Sequence, residues 1–336
     1  MKSNILVLCD TEEEYAWHMT EYLRTQKEVP WEIHTYTEPV GLLEFAKQTE
    51  IEILVVAERA YTEEIRGLTV EKLVLLNESG VVRWEGIRNV NKYQQAEMVY
   101  KEILSEYMEI ATEPLPKLTG ICTTKLVGLF SPVHRCLQTT FALTLGQMLS
   151  MKYRTLYLNF EHYAGIPEIM PDVCTRDLAD LVFFLNTDKD RFLLRMQTMI
   201  LKKGQMDYIP PARAGANLLE VKHEEWLEML KRIIQSGDYD YIILDLSESV
   251  QGLLDILRMC QKIYTLTRDD RAARGKMAQY ERLLAMAEYE DVLNKTSRYK
   301  LPRIRKIPEE IELLTKGELA DYVRRVMGEV TEVMIE

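Results

Sequence analysis

Short apolar runs closed by polar residues alternate along this chain with stretches in which apolar side chains return every three or four positions. In the first third the pattern predicts strands at 4–9, 31–36, 51–57, 72–76 and 87–90. A helical stretch runs through Tyr15, Met19, Tyr22 and Leu23, and further helices are predicted over 40–47 and 94–107. Glu12, Glu13 and Glu14 fall where the positive end of a helix favours carboxylates. The run at 51–57 is nearly continuous in apolar residues, as expected of a strand covered on both faces.

The alternation resumes after a break. Strands are predicted at 124–130, 153–160, 206–211, 241–246 and 262–267, with Pro210 and Pro211 ending the third of them. Helices are predicted from 139 to 148, 176–185, 190–201, 223–236, 272–287 and 317–327. The 223–236 stretch places Trp226, Leu227, Leu230, Ile233 and Ile234 on one side, with Gly237 just past its end. The fold class is therefore α/β, two doubly wound parallel-sheet domains in succession. Residues 1–108 make the first and 121–336 the second, while 109–120, with Pro114, Pro116 and Gly120, read as a linker.

Composition narrows the class. The 336 residues give room for two ordinary domains, and 47% hydrophobic against 28% charged residues is the balance of a folding chain. A formal charge of -11 makes nucleic acid an unlikely partner. Cys9, Cys122, Cys136, Cys174 and Cys260 form no CxxC pair, which is reduced, metal-free usage. The start, Met1 to Leu8, is too short an apolar run for a signal peptide, and no run reaches the roughly 20 residues of a membrane span. A cytoplasmic protein is expected, with recruitment to the inner face of the cell membrane open through a surface or a partner.

Two basic stretches stand inside the acidic total. Residues 268–276, with Arg268, Arg271, Arg274 and Lys276, read either as an interaction edge or as a solvated helix start. Residues 295–306 carry Arg298, Lys300, Arg303, Arg305 and Lys306 around Tyr299. They read as a contact for an anionic membrane or acidic partner, or as a link between sheet elements.

In the first unit Asp10 ends the first strand, Asn77 and Ser79 follow the fourth, and Lys92 follows the fifth. This order resembles a response-regulator receiver domain, a flavodoxin-like fold. The resemblance implies an acidic, magnesium-holding cluster at the first strand, an aspartate after the third that takes a phosphoryl group, and a lysine that contacts it. Here the third strand closes Val55-Val56-Ala57-Glu58-Arg59, so the acceptor position holds Ala57 or, one residue on, Glu58. Without the acceptor carboxylate the nucleophile is gone, and no phosphoacceptor is expected. Asp10 and Lys92 then read as a solvated pair at the sheet's carboxyl edge, a retained salt bridge among the options, or as part of a recognition surface.

In the second unit the stretch from Leu126 to Leu143 reads as buried strand, tight loop and apolar-striped helix, the local architecture of a phosphate-binding loop. Such a loop uses glycines so that backbone N–H groups converge on phosphates, a lysine to neutralise them and a hydroxyl for magnesium. Between Ser131 and Thr140 there is neither glycine nor lysine. The order of elements resembles the MinD/ParA class of P-loop ATPases. On Ser131 and Thr139-Thr140 the family's first lysine falls on Val133, its glycine pair on His134 and Arg135, its third glycine on Leu137 and its second lysine on Gln138. Asn159 stands where the family's second strand ends in aspartate, and Asp245 ends the strand matched to its metal-side carboxylate.

Arg135, Gln138, Thr139, Thr140 and Asp245 are what remains of a nucleotide site, with Thr139 and Asp245 as metal ligands if a magnesium nucleotide binds. Other roles stay open: Thr139 and Thr140 as helix caps, Asp245 as an ordinary strand end, His134 as a surface residue. An efficient ATPase is not expected. No cofactor is expected, the alternative being ATP with Mg2+. A receiver-like unit followed by a MinD/ParA-like unit resembles the TadZ/CpaE group. That resemblance implies a homodimeric scaffold or localisation protein with partners in a pilus or secretion assembly and peripheral membrane association. The alternative is a MinD/ParA-type ATPase in positioning or partitioning.

Overall fold

The computed structural model describes residues 4–26, 31–84, 86–110, 124–165 and 176–331. The chain divides into two compact units between Pro116 and Lys117. From residue 111 on, the expected linker lies outside the described residues, as do Cys122 and Cys174.

The first unit holds β1 (Ile5–Cys9), β2 (Glu32–Tyr36), β3 (Ile51–Ala57), β4 (Val70–Asn77) and β5 (Arg88–Asn91). They form one parallel sheet in the order β2-β1-β3-β4-β5, the flavodoxin-like doubly wound order. Leu6, Val7 and Leu8 of β1 and Leu54, Val55 and Val56 of β3 are fully buried, which is why these runs lack the alternation of a one-sided strand. Helices α1 (Glu13–Thr25), α2 (Pro39–Ala46) and α3 (Glu63–Arg66) make the first three crossovers, and α4 (Ala96–Ile110) follows β5. The strand order reverses at β1 and β3, which opens a crevice at their carboxyl ends.

The second unit has β6 (Lys125–Leu129), β7 (Thr155–Asn159), β8 (Leu201–Lys203), β9 (Met206–Tyr208), β10 (Tyr241–Asp245), β11 (Lys262–Thr267) and β12 (Thr296–Lys300). The order is β12-β11-β6-β10-β7-β9-β8, and every pairing is parallel except the edge pair β8 with β9. Its helices are α5 (Gln138–Ser150), α6 (Leu178–Thr187), α7 (Phe192–Met199), α8 (Gly215–Glu220), α9 (His223–Ser236), α10 (Leu253–Met259), α11 (Arg271–Met286), α12 (Glu290–Lys295) and α13 (Glu318–Thr331).

Alternate side chains of the central strands feed two cores. Leu126, Leu158, Ile242 and Leu244 pack with Trp226 of α9 and Tyr280 of α11. Val127, Leu129, Tyr157 and Ile243 pack with Phe141 of α5 and Val323 of α13. Trp226 is fully buried and meets Phe160 edge to face at 5.0 Å. Gly128 is a packing requirement, because a Cβ there would lie 2.9 Å from Cys260 Sγ. Gly237 closes α9 in the left-handed region at φ 69°.

Strand β12 occupies part of the basic stretch at 295–306. Arg298 pairs with Glu281 at 2.6 Å and Lys300 with Asp269 at 2.8 Å, so these charges tie a sheet edge down, while Arg303, Arg305 and Lys306 are exposed. In the other basic stretch Asp270 caps α11 through the Ala273 N–H, and Arg274 pairs with Asp269.

Candidate functional site

After β6 the chain turns through residues 130–137 and enters α5 at Gln138. The turn takes left-handed backbone at His134 (φ 59°), Arg135 (φ 48°) and Leu137 (φ 63°). Each such residue with a Cβ costs about 1–2 kcal/mol, so the loop follows a glycine-style path without glycine. Tertiary bonds hold it there: the Ser131 hydroxyl donates to the Leu266 carbonyl at 2.5 Å, and the Val133 N–H donates to Ser131 Oγ at 3.1 Å. Leu137 occupies the N-cap, so Thr139 and Thr140 sit inside the first turn and cap nothing, contrary to one sequence expectation.

Cys136 is buried beneath this turn. Burial pushes its thiol up, and the Ser131 side chain and the backbone N–H groups of Cys136 and Gln138 that face the sulfur offset part of that rise. A buried thiol held protonated is not a nucleophile.

Gln138 reaches across the corner rather than outward. Its side-chain N–H groups serve Asp245 Oδ1 at 2.7 Å, the Leu246 carbonyl at 2.9 Å and the Leu129 carbonyl at 3.3 Å. On the other side, Asp245 Oδ2 accepts from the Tyr157 hydroxyl at 3.0 Å and from Asn159 Nδ2 at 3.2 Å. Both carboxylate oxygens are therefore engaged, in a position with no solvent exposure. Asp245 does more than end a strand. Burial raises its carboxyl above the usual range, and Gln138, Thr139 and Tyr157 offset part of the shift by hydrogen bonding. The Tyr157 hydroxyl is raised well above the ordinary tyrosine range by burial and by the Asp245 charge, so it stays a neutral donor.

Above this network lies a cavity of about 460 Å³ whose wall includes Arg135, Gln138, Thr139 and Thr140, with Glu161 and Glu248 facing them. Sequence reasoning missed both glutamates. Their signal was position: Glu161 follows β7 and Glu248 follows β10, at the carboxyl ends where such crevices form. Burial, then the charges of Asp245 and Glu248, push the Glu161 carboxyl up to about 7, with a Thr139 hydrogen bond working the other way. His134 is exposed, and its Nε2 lies 3.0 Å from Glu248 Oε1. The cavity wall thus combines two carboxylates with Arg135 and no lysine, above the buried Asp245.

In the first unit the expected solvated pair is a buried cluster. Lys92 and Asp10 are both fully buried, and Lys92 Nζ lies 2.8 Å from Asp10 Oδ2, 3.0 Å from Glu78 Oε1 and 3.3 Å from Glu12 Oε2. Burial alone would lower the ammonium, but hydrogen bonds to Asp10 and Glu78 outweigh it and raise the group above the ordinary lysine range. The salt bridge between the two is present, but it is not solvated, because the sheet's crevice encloses this lysine among acids supplied by three different segments. Ala57 is buried at the end of β3. Glu58, next to it, accepts from the N–H groups of Glu78 (3.1 Å) and Ser79 (3.0 Å) and from the Ser79 hydroxyl (3.0 Å), with Arg83 at 3.3 Å. Burial opposes its ionisation, yet these donors win and hold its carboxyl below the usual range.

Among the described residues no helix is long and apolar enough to cross a membrane, and no group of three or more His, Cys, Asp or Glu side chains is placed to hold a metal. No protein-family model matches the chain, and no curated protein matches it. Among solved structures it is similar to a ParA family ATPase from Chlorobium tepidum TLS, at 16% identity and TM-score 0.48 over 59% of this chain and 96% of that one. A putative plasmid partition protein from Borrelia burgdorferi B31 bound to AMPPNP matches at 13% identity and TM-score 0.47, over 61% and 98%. The MinD cell division protein of Aquifex aeolicus matches at 14% and 0.46, over 61% and 97%.

Proposed function

We propose that this chain is a non-catalytic scaffold that helps to localise a pilus or secretion assembly as a homodimer, and that its second unit is a MinD/ParA-type unit which no longer depends on nucleotide. The observation that carries this reading is the closure of Asp245 by Gln138, Tyr157 and Asn159. A magnesium nucleotide needs a free metal-side carboxylate and a cation for its phosphates. Here both oxygens are bonded, an amide stands where the lysine would, and Glu161 and Glu248 face any entering phosphate. The residues present do not fit that group. The choice of a pilus or secretion assembly rests on the order of the two units, receiver-like and then phosphate-loop-like, and peripheral membrane recruitment through a partner belongs to the same reading.

One observation favours the competing reading, an ATP-binding ATPase in positioning or partitioning: the loop keeps its left-handed path beside a cavity of about 460 Å³. Calorimetry of the full chain with ATP and magnesium separates the two. The scaffold reading expects no binding heat and a dimer content that ATP leaves unchanged. Micromolar binding that Asp245→Ala weakens would overturn it.

A further inference from the structure

A second groove of the same unit, about 520 Å³, runs along α11 between Pro132 of the loop and the side chains of Lys276, Tyr280, Arg282, Leu283 and Met286. Lys276, Leu283 and Met286 recur at helical spacing and so share one face. Leu283 and Met286 are 53% and 85% exposed, an apolar pair that the unit itself leaves uncovered. The flanking cations are unspent: Arg282 donates from Nε to the Ala278 carbonyl, and among the described residues neither Arg282 nor Lys276 has a carboxylate within ion-pair distance. Arg271 adds a third such cation at the start of the helix.

Tyr280 borders the groove from the core side, with its hydroxyl closed off from solvent. The Tyr280 side chain is buried, at 7% exposure, and its hydroxyl has no hydrogen-bond partner. An occupant that fits this face therefore brings apolar side chains for Leu283 and Met286, and acceptors, preferably charged, for Lys276 and Arg282.

We infer that the α11 groove docks a short acidic segment of a protein partner, its apolar residues on Leu283 and Met286 and its carboxylates toward Lys276 and Arg282. Charge complementarity favours a peptide over an anionic bilayer. A flat bilayer presents its charge to the whole body, which carries a formal -11, whereas a short segment feels chiefly the local cations within a Debye length of about 10 Å. This names a partner chemistry for the scaffold reading and rests on that reading for its role.

The test uses the full chain and a fluorescently labelled synthetic helical peptide with a leucine stripe flanked by glutamates, followed by anisotropy. Binding is expected, weakened about tenfold or more by Lys276→Glu with Arg282→Glu. The charge-reversed variant is expected to bind the matching lysine-flanked peptide, a gain that misfolding cannot mimic. Equal binding of the acidic peptide to both proteins, no binding at all, or preference for phosphatidylserine vesicles over the peptide would each overturn the proposal. ATP calorimetry is independent of these arms. Peptide docking together with ATP binding sinks the scaffold reading and keeps the groove, while neither binding sinks the groove and keeps the scaffold reading.

Discussion

The side-chain amide of Gln138 donates to Asp245 at 2.7 Å, so two residues that the sequence pattern assigns to a nucleotide site are bonded to each other. The contact joins α5 to β10 at a point without solvent, where an unpaired polar group is costly. Gln138→Ala is expected to destabilise the second unit by about 1–3 kcal/mol. Asp245→Ala takes an acceptor from Gln138, Asn159 and Tyr157, leaving the buried Tyr157 hydroxyl without its acceptor, and is expected to cost about 3 kcal/mol or more. Chemical denaturation measures both, and the double variant should fall short of the sum because the two residues share one bond. Additive losses would mean that the contact carries no energy.

Leu137 is the clearest strained position. It is the N-cap of α5, takes φ 63° and is 39% exposed, so burial of its side chain offsets the backbone conformation only in part. Glycine there removes the steric penalty but frees the unfolded chain, and the balance is expected to raise stability by about 0.5–1 kcal/mol. A thermal melt checks the sign, which is opposite to that of most substitutions.

The strands and the long helices were legible because their apolar periods match the faces they bury. The five strands of the first unit lie within two residues of where the pattern puts them. Short helices such as α8 and α12, and the edge strand β12, were not legible, since a handful of residues gives no full period and β12 is largely polar. At the site, the loss of glycine and lysine was visible directly. Gln138 closing onto Asp245 was not, because β10 enters the chain long after α5 and only the sheet order brings them together. The buried state of Lys92 was hidden for the same reason: its acids come from β1, the following turn and the end of β4.

Glu161 sets a pH signature. Its carboxyl is pushed up to about 7 from an ordinary value of 4.5, so between those values the folded chain binds more protons than the unfolded one. Stability therefore falls as pH rises through that window and levels off above it. Asp245, also raised, adds in the same direction. Glu161→Gln is expected to flatten the fall between pH 4.5 and 7 in a series of denaturation curves. An unchanged slope would show that the charge of Glu161 is relieved by solvent instead.

In the first unit, Lys92 is, among the described residues, the only cation enclosed with Asp10, and Glu78 closes the same cluster. Removing one partner of a buried pair leaves an uncompensated charge, so Lys92→Met is expected to cost about 3–5 kcal/mol. Combining it with Asp10→Asn should recover part of that loss, because the second change removes the carboxylate stranded by the first. Failure of the double variant to recover stability would mean that Glu12 and Glu78 dominate the cluster.

Glu58 tests whether the first unit is a phosphoryl switch. Its carboxylate already takes the N–H groups of Glu78 and Ser79 and the Ser79 hydroxyl, so these donors are filled from within. Incubation with a small phosphoryl donor is expected to leave the intact mass unchanged. Glu58→Ala should speed amide exchange at Glu78 and Ser79, because both N–H groups lose their acceptor. A phosphoryl-sized mass increment that disappears in the Glu58→Ala or Asp10→Ala variant would instead make this edge an active acceptor. Unchanged exchange at Ser79 would show that the turn after β4 is held by Asn77 alone, whose side chain already spans it through Gly80 N–H and the Val81 carbonyl.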